Sequence, residues 1–157
     1  SIIIYNMYST ELEVIWSNLD ANRHMRNTAY SEFATHGRID YFNEHGYSLD
    51  VLGNEGIGPV LLKEEVTYFR EVKMQDKLRI TVTLSRSTAN YDRYTISQDI
   101  IKENGKKAAR VIIHGAWMNL NSRQLVSPPQ KLMEKVILNI PRTEDYEEVG
   151  FREYIFV

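Results

Sequence analysis

Between Asp20 and Asn27 the chain gathers a carboxylate (Asp20), an imidazole (His24) and two amides (Asn22 and Asn27). A carboxylate can serve as general base or nucleophile, and an imidazole can move protons near neutral pH. The elements on either side decide where these groups are delivered. Upstream, apolar and polar residues alternate through Leu12, Val14 and Trp16, the period of a half-buried strand. Downstream, Tyr30, Phe33, Ala34, Gly37 and Tyr41 recur at helical spacing. The cluster is therefore read as a strand-to-helix loop ending at the first turn of a helix. The unpaired backbone N–H groups of that turn favour developing negative charge, so chemistry through an oxyanion fits the place.

The helix is expected from about residue 27 to 43, stopping before Gly46. Asn27 is read as its cap, accepting from first-turn N–H groups, with Glu32 at the end where an acid suits the helix dipole. Strand-like runs follow at residues 60 to 70, 78 to 87 and 91 to 102. Asn104-Gly105 reads as a tight hairpin turn, both residues accepting positive φ, into a strand over residues 107 to 120. Gly53-x-x-Gly56-x-Gly58 precedes Pro59 and a strand, so it reads as a turn and not a phosphate loop. Pro128-Pro129 interrupts the chain before a short helix over residues 130 to 138, and the mixed acidic and aromatic tail, residues 139 to 157, shows no pattern. A strand, one long helix and four tightly connected strands predict an α+β fold, a strongly bent antiparallel sheet wrapped around one long helix. At 157 residues the chain is expected to be a single domain, long enough to bury about two-thirds of its unfolded surface.

Composition narrows the function. A formal charge of -2 offers no basic field, so nucleic acid is not an expected partner. Cys is absent, which excludes disulfides and thiolate catalysis. The Ile2-Ile3-Ile4 run is too short for a signal-peptide core or a membrane span, and the chain reads as soluble and cytoplasmic. His24, His36, His45 and His114 show no metal-ligand spacing, so metal catalysis is not expected. His36 and His114 read as packed or surface residues. No Gly-x-Ser-x-Gly elbow is present for a Ser nucleophile.

The loop reads Asn18-x-Asp20-x-x-Arg23-His24-Met25-Arg26-Asn27-x-x-Tyr30, with Arg38 eight residues after the Tyr. It resembles the hot-dog-fold acyl-thioester hydrolases of the 4-hydroxybenzoyl-CoA thioesterase type, whose pattern runs roughly Asp-x-Asp-x-x-Gly-His-Val-Asn-Asn-x-x-Tyr. The departures include Asn18 for the first Asp, Arg23 for the Gly, Thr35 for a Glu in the following helix, and Glu71 where a Pro is common. Gly58-Pro59-Val60, Val66-x-Tyr68-Phe69-Arg70 and Asp76-Lys77-Leu78 resemble the family's second and third strands, so the likeness covers most of residues 10 to 138, the first loop alone being specific to the family. It implies a hot-dog fold, hydrolysis of an acyl-CoA or acyl-carrier-protein thioester without a cofactor, and a homodimer or homotetramer with each active site between two subunits. The other functions weighed are a non-catalytic acyl-thioester-binding protein and a hot-dog dehydratase, whose His and acid pair in an arrangement not found here.

The resemblance also assigns roles. Asp20 becomes general base or nucleophile, against the plainer reading of a turn cap or an ion-pair partner of Arg23 or Arg26. Asn27 offers its backbone N–H to the carbonyl oxygen, and His24 resembles the motif His, which shapes the loop more than it transfers protons. Tyr30 and Tyr68 line an acyl tunnel or simply fill core. Strand alternation places Glu64 with Val60, Leu62, Val66 and Tyr68, an odd place for a carboxylate. It is read as a second active-site acid reaching a neighbouring subunit, or as the mark of a one-residue bulge or an intersubunit salt bridge. Arg86 and Arg93 flank the hairpin around Asn90, near where relatives set basic residues against the phosphates of coenzyme A.

Overall fold

In the computed structural model, which describes residues 7–157, strand β1 (Tyr8–Glu13) leads through a 3-10 turn (Trp16–Asn18) and the loop into helix α1 (Asn27–Glu44). The Ile2-Ile3-Ile4 run lies outside the described residues. A short helix α2 (Leu49–Glu55) precedes four strands, β2 (Ile57–Tyr68), β3 (Lys77–Ser87), β4 (Arg93–Lys102) and β5 (Lys107–Asn119). Then come β6 (Leu125–Val126), α3 (Gln130–Lys135), β7 (Arg142–Glu148) and a final 3-10 turn (Phe151–Tyr154). The sheet order is β1-β3-β4-β5-β2, with β6 on β5 and β7 on β3, and every pairing is antiparallel except β3 with β7. This is the expected α+β hot-dog arrangement, one long helix held against an antiparallel sheet.

The core forms where α1 meets the middle of the sheet. Ala29, Tyr30, Phe33, Ala34, Gly37 and Tyr41 make its buried stripe, in one cluster with Ile80, Leu84, Ile96, Ile100, Val111 and Ile113 of β3, β4 and β5. Beneath the helix the Gln98 side chain is fully buried, and both ends of its amide are used. Its Nε2 donates to the Ala34 carbonyl and its Oε1 accepts from Arg38 Nη1, each at 2.8 Å. A buried amide satisfied on both sides tolerates burial and pins the helix to β4. Among the described residues no helix is long and apolar enough to cross a membrane.

Several local expectations give way to packing. The first strand ends at Glu13, so only Val14 of the expected continuation is buried, while Trp16 enters the 3-10 turn and is 77% exposed. The glycine-rich segment is not simply a turn, because residues 49 to 55 make α2 and Gly56, at φ +70°, ends it in the left-handed conformation that glycine takes without strain. Asn27 is not the cap of α1. Arg26 holds that position with extended backbone and no capping side chain, so Asn27 is the first helical residue. The 104–105 hairpin forms, but only Gly105 takes positive φ (+84°), whereas Asn104 accepts the Lys106 N–H on its side chain at 2.9 Å.

Two findings alter the placement of candidate residues. β2 carries a bulge at Leu62, since Leu61 pairs with Gly115 and Lys63 already pairs with His114. Glu64, Val66 and Tyr68 therefore share a face with each other but not with Val60, because one extra residue reverses the alternation. The patternless tail supplies β7, which runs parallel to β3 and pairs Arg86 with Glu147 and Ser87 with Glu148.

Candidate active site

The loop before α1 is a miniature hairpin. Leu19 and Met25 form an isolated antiparallel bridge, and the Asp20 N–H donates to the His24 carbonyl at 2.9 Å. Inside it, Asp20 Oδ1 accepts the backbone N–H groups of Asn22 (2.9 Å) and His24 (3.2 Å), the local bonding that Asp offers a turn. Arg23 closes the turn at φ +65°, a region where side chains other than Gly, Asn and Asp are uncommon. The loop is tied at both flanks, as buried Asn18 accepts the Ile15 N–H on Oδ1 and the Arg26 N–H on its carbonyl, while Met25 N–H reaches the Val72 carbonyl at 2.7 Å. Arg26 donates to the Ser17 carbonyl, Thr28 Oγ1 and Glu32. Its guanidinium is thus committed to Glu32 and not to Asp20, so the structural role seen for Asp20 is the turn cap, with no ion pair to Arg23 or Arg26 among the described residues.

Asp20 remains exposed, and its second oxygen takes no hydrogen bond among the described residues. It lines a pocket of about 480 Å³ together with Asn22, His24, Asn27, Tyr30 and Tyr68. As the first residue of α1, Asn27 has no intrahelical acceptor for its N–H. Its carbonyl accepts from the Tyr68 hydroxyl at 3.4 Å. Tyr30 is buried and meets the half-exposed Tyr68 edge to face, ring centres 5.0 Å apart. Burial, then Tyr68, Glu71 and Asp20, raise the Tyr30 pKa, so its phenol stays protonated at neutral pH. His24 Nε2 lies 3.2 Å from Glu71 Oε2, which ties the loop to the chain leaving β2.

Five of the seven expected site residues, Asp20, His24, Asn27, Tyr30 and Tyr68, therefore converge on one pocket. Glu64 and Arg86 do not. Glu64 is half-buried and accepts a hydrogen bond from Ser31, one helical turn beyond Asn27. Arg86 pairs with Glu147 at 2.9 Å and Glu153 at 3.7 Å in a polar trough that also holds His114 and Lys107. Arg93 is buried, its guanidinium 4.8 Å from the centre of the Phe151 ring. His114 Nδ1 meets Thr95 Oγ1 at 2.9 Å, and burial lowers its pKa. Glu71 belongs to the site through His24, and nothing local in the sequence signals a partner 47 residues away. Among the described residues no group of three or more His, Cys, Asp or Glu could hold a metal ion.

A second pocket, of about 210 Å³, opens farther along α1 between the helices and the sheet. Asn27, Ser31 and Thr35 follow one another at four-residue spacing on α1, and Tyr68, Glu64 and Leu61 run in the same order on β2. Asn27 and Tyr68 line the loop pocket and Thr35 and Leu61 line the second one, with the Ser31–Glu64 contact between them.

A family model for the thioesterase-like superfamily matches residues 14–136. No curated protein matches the sequence. Among solved structures, a Staphylococcus aureus protein in complex with CoA superposes with a TM-score of 0.77 at 18% identity, over 96% of this chain and 92% of that one. A 1,4-dihydroxy-2-naphthoyl-CoA thioesterase from Synechocystis gives 0.74 at 16% identity, over 83% and 96%. A DHNA-CoA thioesterase from Staphylococcus aureus gives 0.71 at 16% identity, over 82% of each chain. At such identities these likenesses speak for the fold.

Proposed function

Because this chain belongs to the thioesterase-like superfamily, we propose that it hydrolyses an acyl thioester, carried on coenzyme A or a carrier protein, to a carboxylic acid and a free thiol. The observation that carries this reading is that Asp20, one oxygen held by the loop, shares a pocket with the first-turn N–H of Asn27, and neither the second oxygen nor that N–H has a partner among the described residues.

Thioester hydrolysis needs a base or nucleophile at the carbonyl carbon and a donor at the carbonyl oxygen. In this reading the Asn27 N–H, at the positive end of α1, receives the developing oxyanion. As general base, Asp20 takes a proton from water as the water oxygen bonds to the carbonyl carbon. Collapse of the tetrahedral intermediate then breaks the C–S bond, and the leaving thiolate is protonated to the thiol. As nucleophile, Asp20 would form a mixed anhydride that water cleaves in a second step. His24, joined to Glu71, holds the loop that presents Asp20, while Tyr30 and Tyr68 border the path of the acyl group. The complex of a similarly folded Staphylococcus aureus protein with CoA supports coenzyme A as carrier.

Assembly belongs to the same proposal. Among the described residues β2, an edge strand of 12 residues, pairs only with β5, and Leu61 and Leu62 at its bulge are 53% and 36% exposed. An open apolar edge of that length is a template for pairing, and a second copy along β2 would cover it. The reading as an enzyme is tested with short, medium, long and aryl acyl-CoA substrates and a thiol-reactive dye. Thiol release supports hydrolysis. Affinity without turnover on coenzyme A or carrier-protein thioesters would make the protein a binder and retire the hydrolase.

A further inference from the structure

The second pocket is mainly apolar, with Thr35, Arg38, Tyr47 and Tyr94 as its polar side chains. Phe42, Leu52, Leu61, Ile96 and Ile113 form its walls, and Arg38 shares them. The Arg38 guanidinium donates to Gln98 Oε1 at 2.8 Å and to Thr35 Oγ1 at 3.1 Å, both neutral acceptors, and it makes no ion pair among the described residues. Glu64, the carboxylate whose charge reaches it, is already hydrogen-bonded to Ser31 and lies outside ion-pair range. Burial pulls the Arg38 pKa down, against the opposing pull of Tyr94 and Glu64. A guanidinium carries five N–H donors, so most of its capacity is unspent here, and this half-buried cation without a counter-ion is open to an anion.

The rest of the cavity wall is fitted to the same end. Tyr94 lines it, and its ring lies over Gly115, where a Cβ would come within 2.4 Å of the ring. Only glycine lets Tyr94 sit there. Burial holds the Tyr94 phenol well above its usual pKa, so it stays a neutral donor. At about 210 Å³ the cavity exceeds the roughly 150 Å³ that accommodates a benzene ring, enough for a ring or a chain of about six to eight carbons. Asn27 and Thr35 stand eight residues apart on α1, roughly 12 Å along the axis.

We propose that this cavity is an acyl chamber for thioesters whose acyl group ends in a carboxylate, and that Arg38 selects them. The proposal rests on the hydrolase reading for its reaction but on the unpaired guanidinium for its ligand. The thioester carbonyl lies at Asn27, the acyl chain follows α1 past Ser31, and the terminal carboxylate meets the free N–H groups of Arg38, a charge-assisted pairing that a methyl end cannot make.

The test compares octanedioyl-CoA, with a free terminal carboxylate, and octanoyl-CoA on the wild type, Arg38→Met and Arg38→Lys. The expected wild-type kcat/KM favours the carboxylated substrate at least about tenfold. In Arg38→Met that ratio should fall at least about tenfold, with Arg38→Lys between, since lysine keeps the charge and loses the fork. A purely structural Arg38 would lower both activities and the Tm together, leave the ratio unchanged and overturn the proposal, as would a wild-type ratio near one. If no thioester is turned over, the hydrolase reading fails separately. Thermal shift with free octanedioate and octanoate then decides the chamber. A larger shift with octanedioate that Arg38→Met abolishes supports it, and equal shifts overturn it.

Discussion

Asp20 and His24 hold each other twice across the loop, the Asp20 N–H donating to the His24 carbonyl at 2.9 Å and the Asp20 carboxylate accepting the His24 N–H at 3.2 Å. One side chain thus both closes the turn and presents a negative charge to the pocket. The two jobs separate by substitution, because an amide oxygen can still accept from the backbone while carrying no charge.

Asp20→Asn is expected to cut turnover at least about a hundredfold with little change in apparent affinity, the scale of losing general-base assistance. Its Tm should stay close to the parent value. Asp20→Ala should lose the turn bonds as well and melt lower, each bond being worth about 1 kcal/mol. His24→Ala should cost less turnover than Asp20→Asn. Steady-state kinetics and thermal melts on the three variants check this, and turnover of Asp20→Asn within about threefold of the parent would move catalysis away from Asp20.

Arg23 sits at φ +65°, where a side chain with Cβ costs about 1–2 kcal/mol that glycine does not. Arg23→Gly should therefore melt at or above the parent temperature, and Arg23→Ile, branched at Cβ, should melt lower. A calorimetric ranking of Ile at or above Gly would show that the turn does not resist a branched side chain.

Light scattering at micromolar concentration should find at least a dimer. Leu61→Lys together with Leu62→Lys, which sets charge on the open edge of β2, should shift the distribution toward monomer. A wild type that is monomeric throughout would rule out pairing along β2.

Burial pushes the pKa of Tyr8 and Tyr47 up to about 12 and raises those of Tyr41 and Tyr94 as well. In the unfolded chain these phenols ionise near the ordinary value of about 10. A group whose pKa is higher in the folded state contributes stability that is fully present below the unfolded value and is lost as pH rises toward the folded one. Stability should thus hold between pH about 7 and 9 and decline above about 10. Circular dichroism melts recorded beside tyrosinate absorbance check it: the buried tyrosines should ionise together with unfolding, and their complete titration near pH 10 in an intact fold would contradict the burial argument.

The sequence by itself determined what depends on neighbours along the chain. The helix over Asn27–Glu44, its stop before Gly46, the hairpin at Gly105 and the Asp20 turn involve residues within a few positions of one another, so period and turn chemistry suffice to place them. The gathering of Asp20, His24 and Asn27 follows from that local geometry. Tertiary structure alone decided the rest. The odd place of Glu64 in the period-two reading of β2 allowed for a one-residue bulge, but only the pairing with β5 sets that bulge at Leu62. Arg86, read from the sequence as a basic residue near the phosphates of coenzyme A, is paired by Glu147 and Glu153 because the tail returns as β7 beside β3. Glu71 finds His24, and Gln98 finds both Ala34 and Arg38, across separations of 47 to 64 residues. Such contacts exist only once the burial of the shared core has brought distant segments together, and no periodicity within a single segment records them.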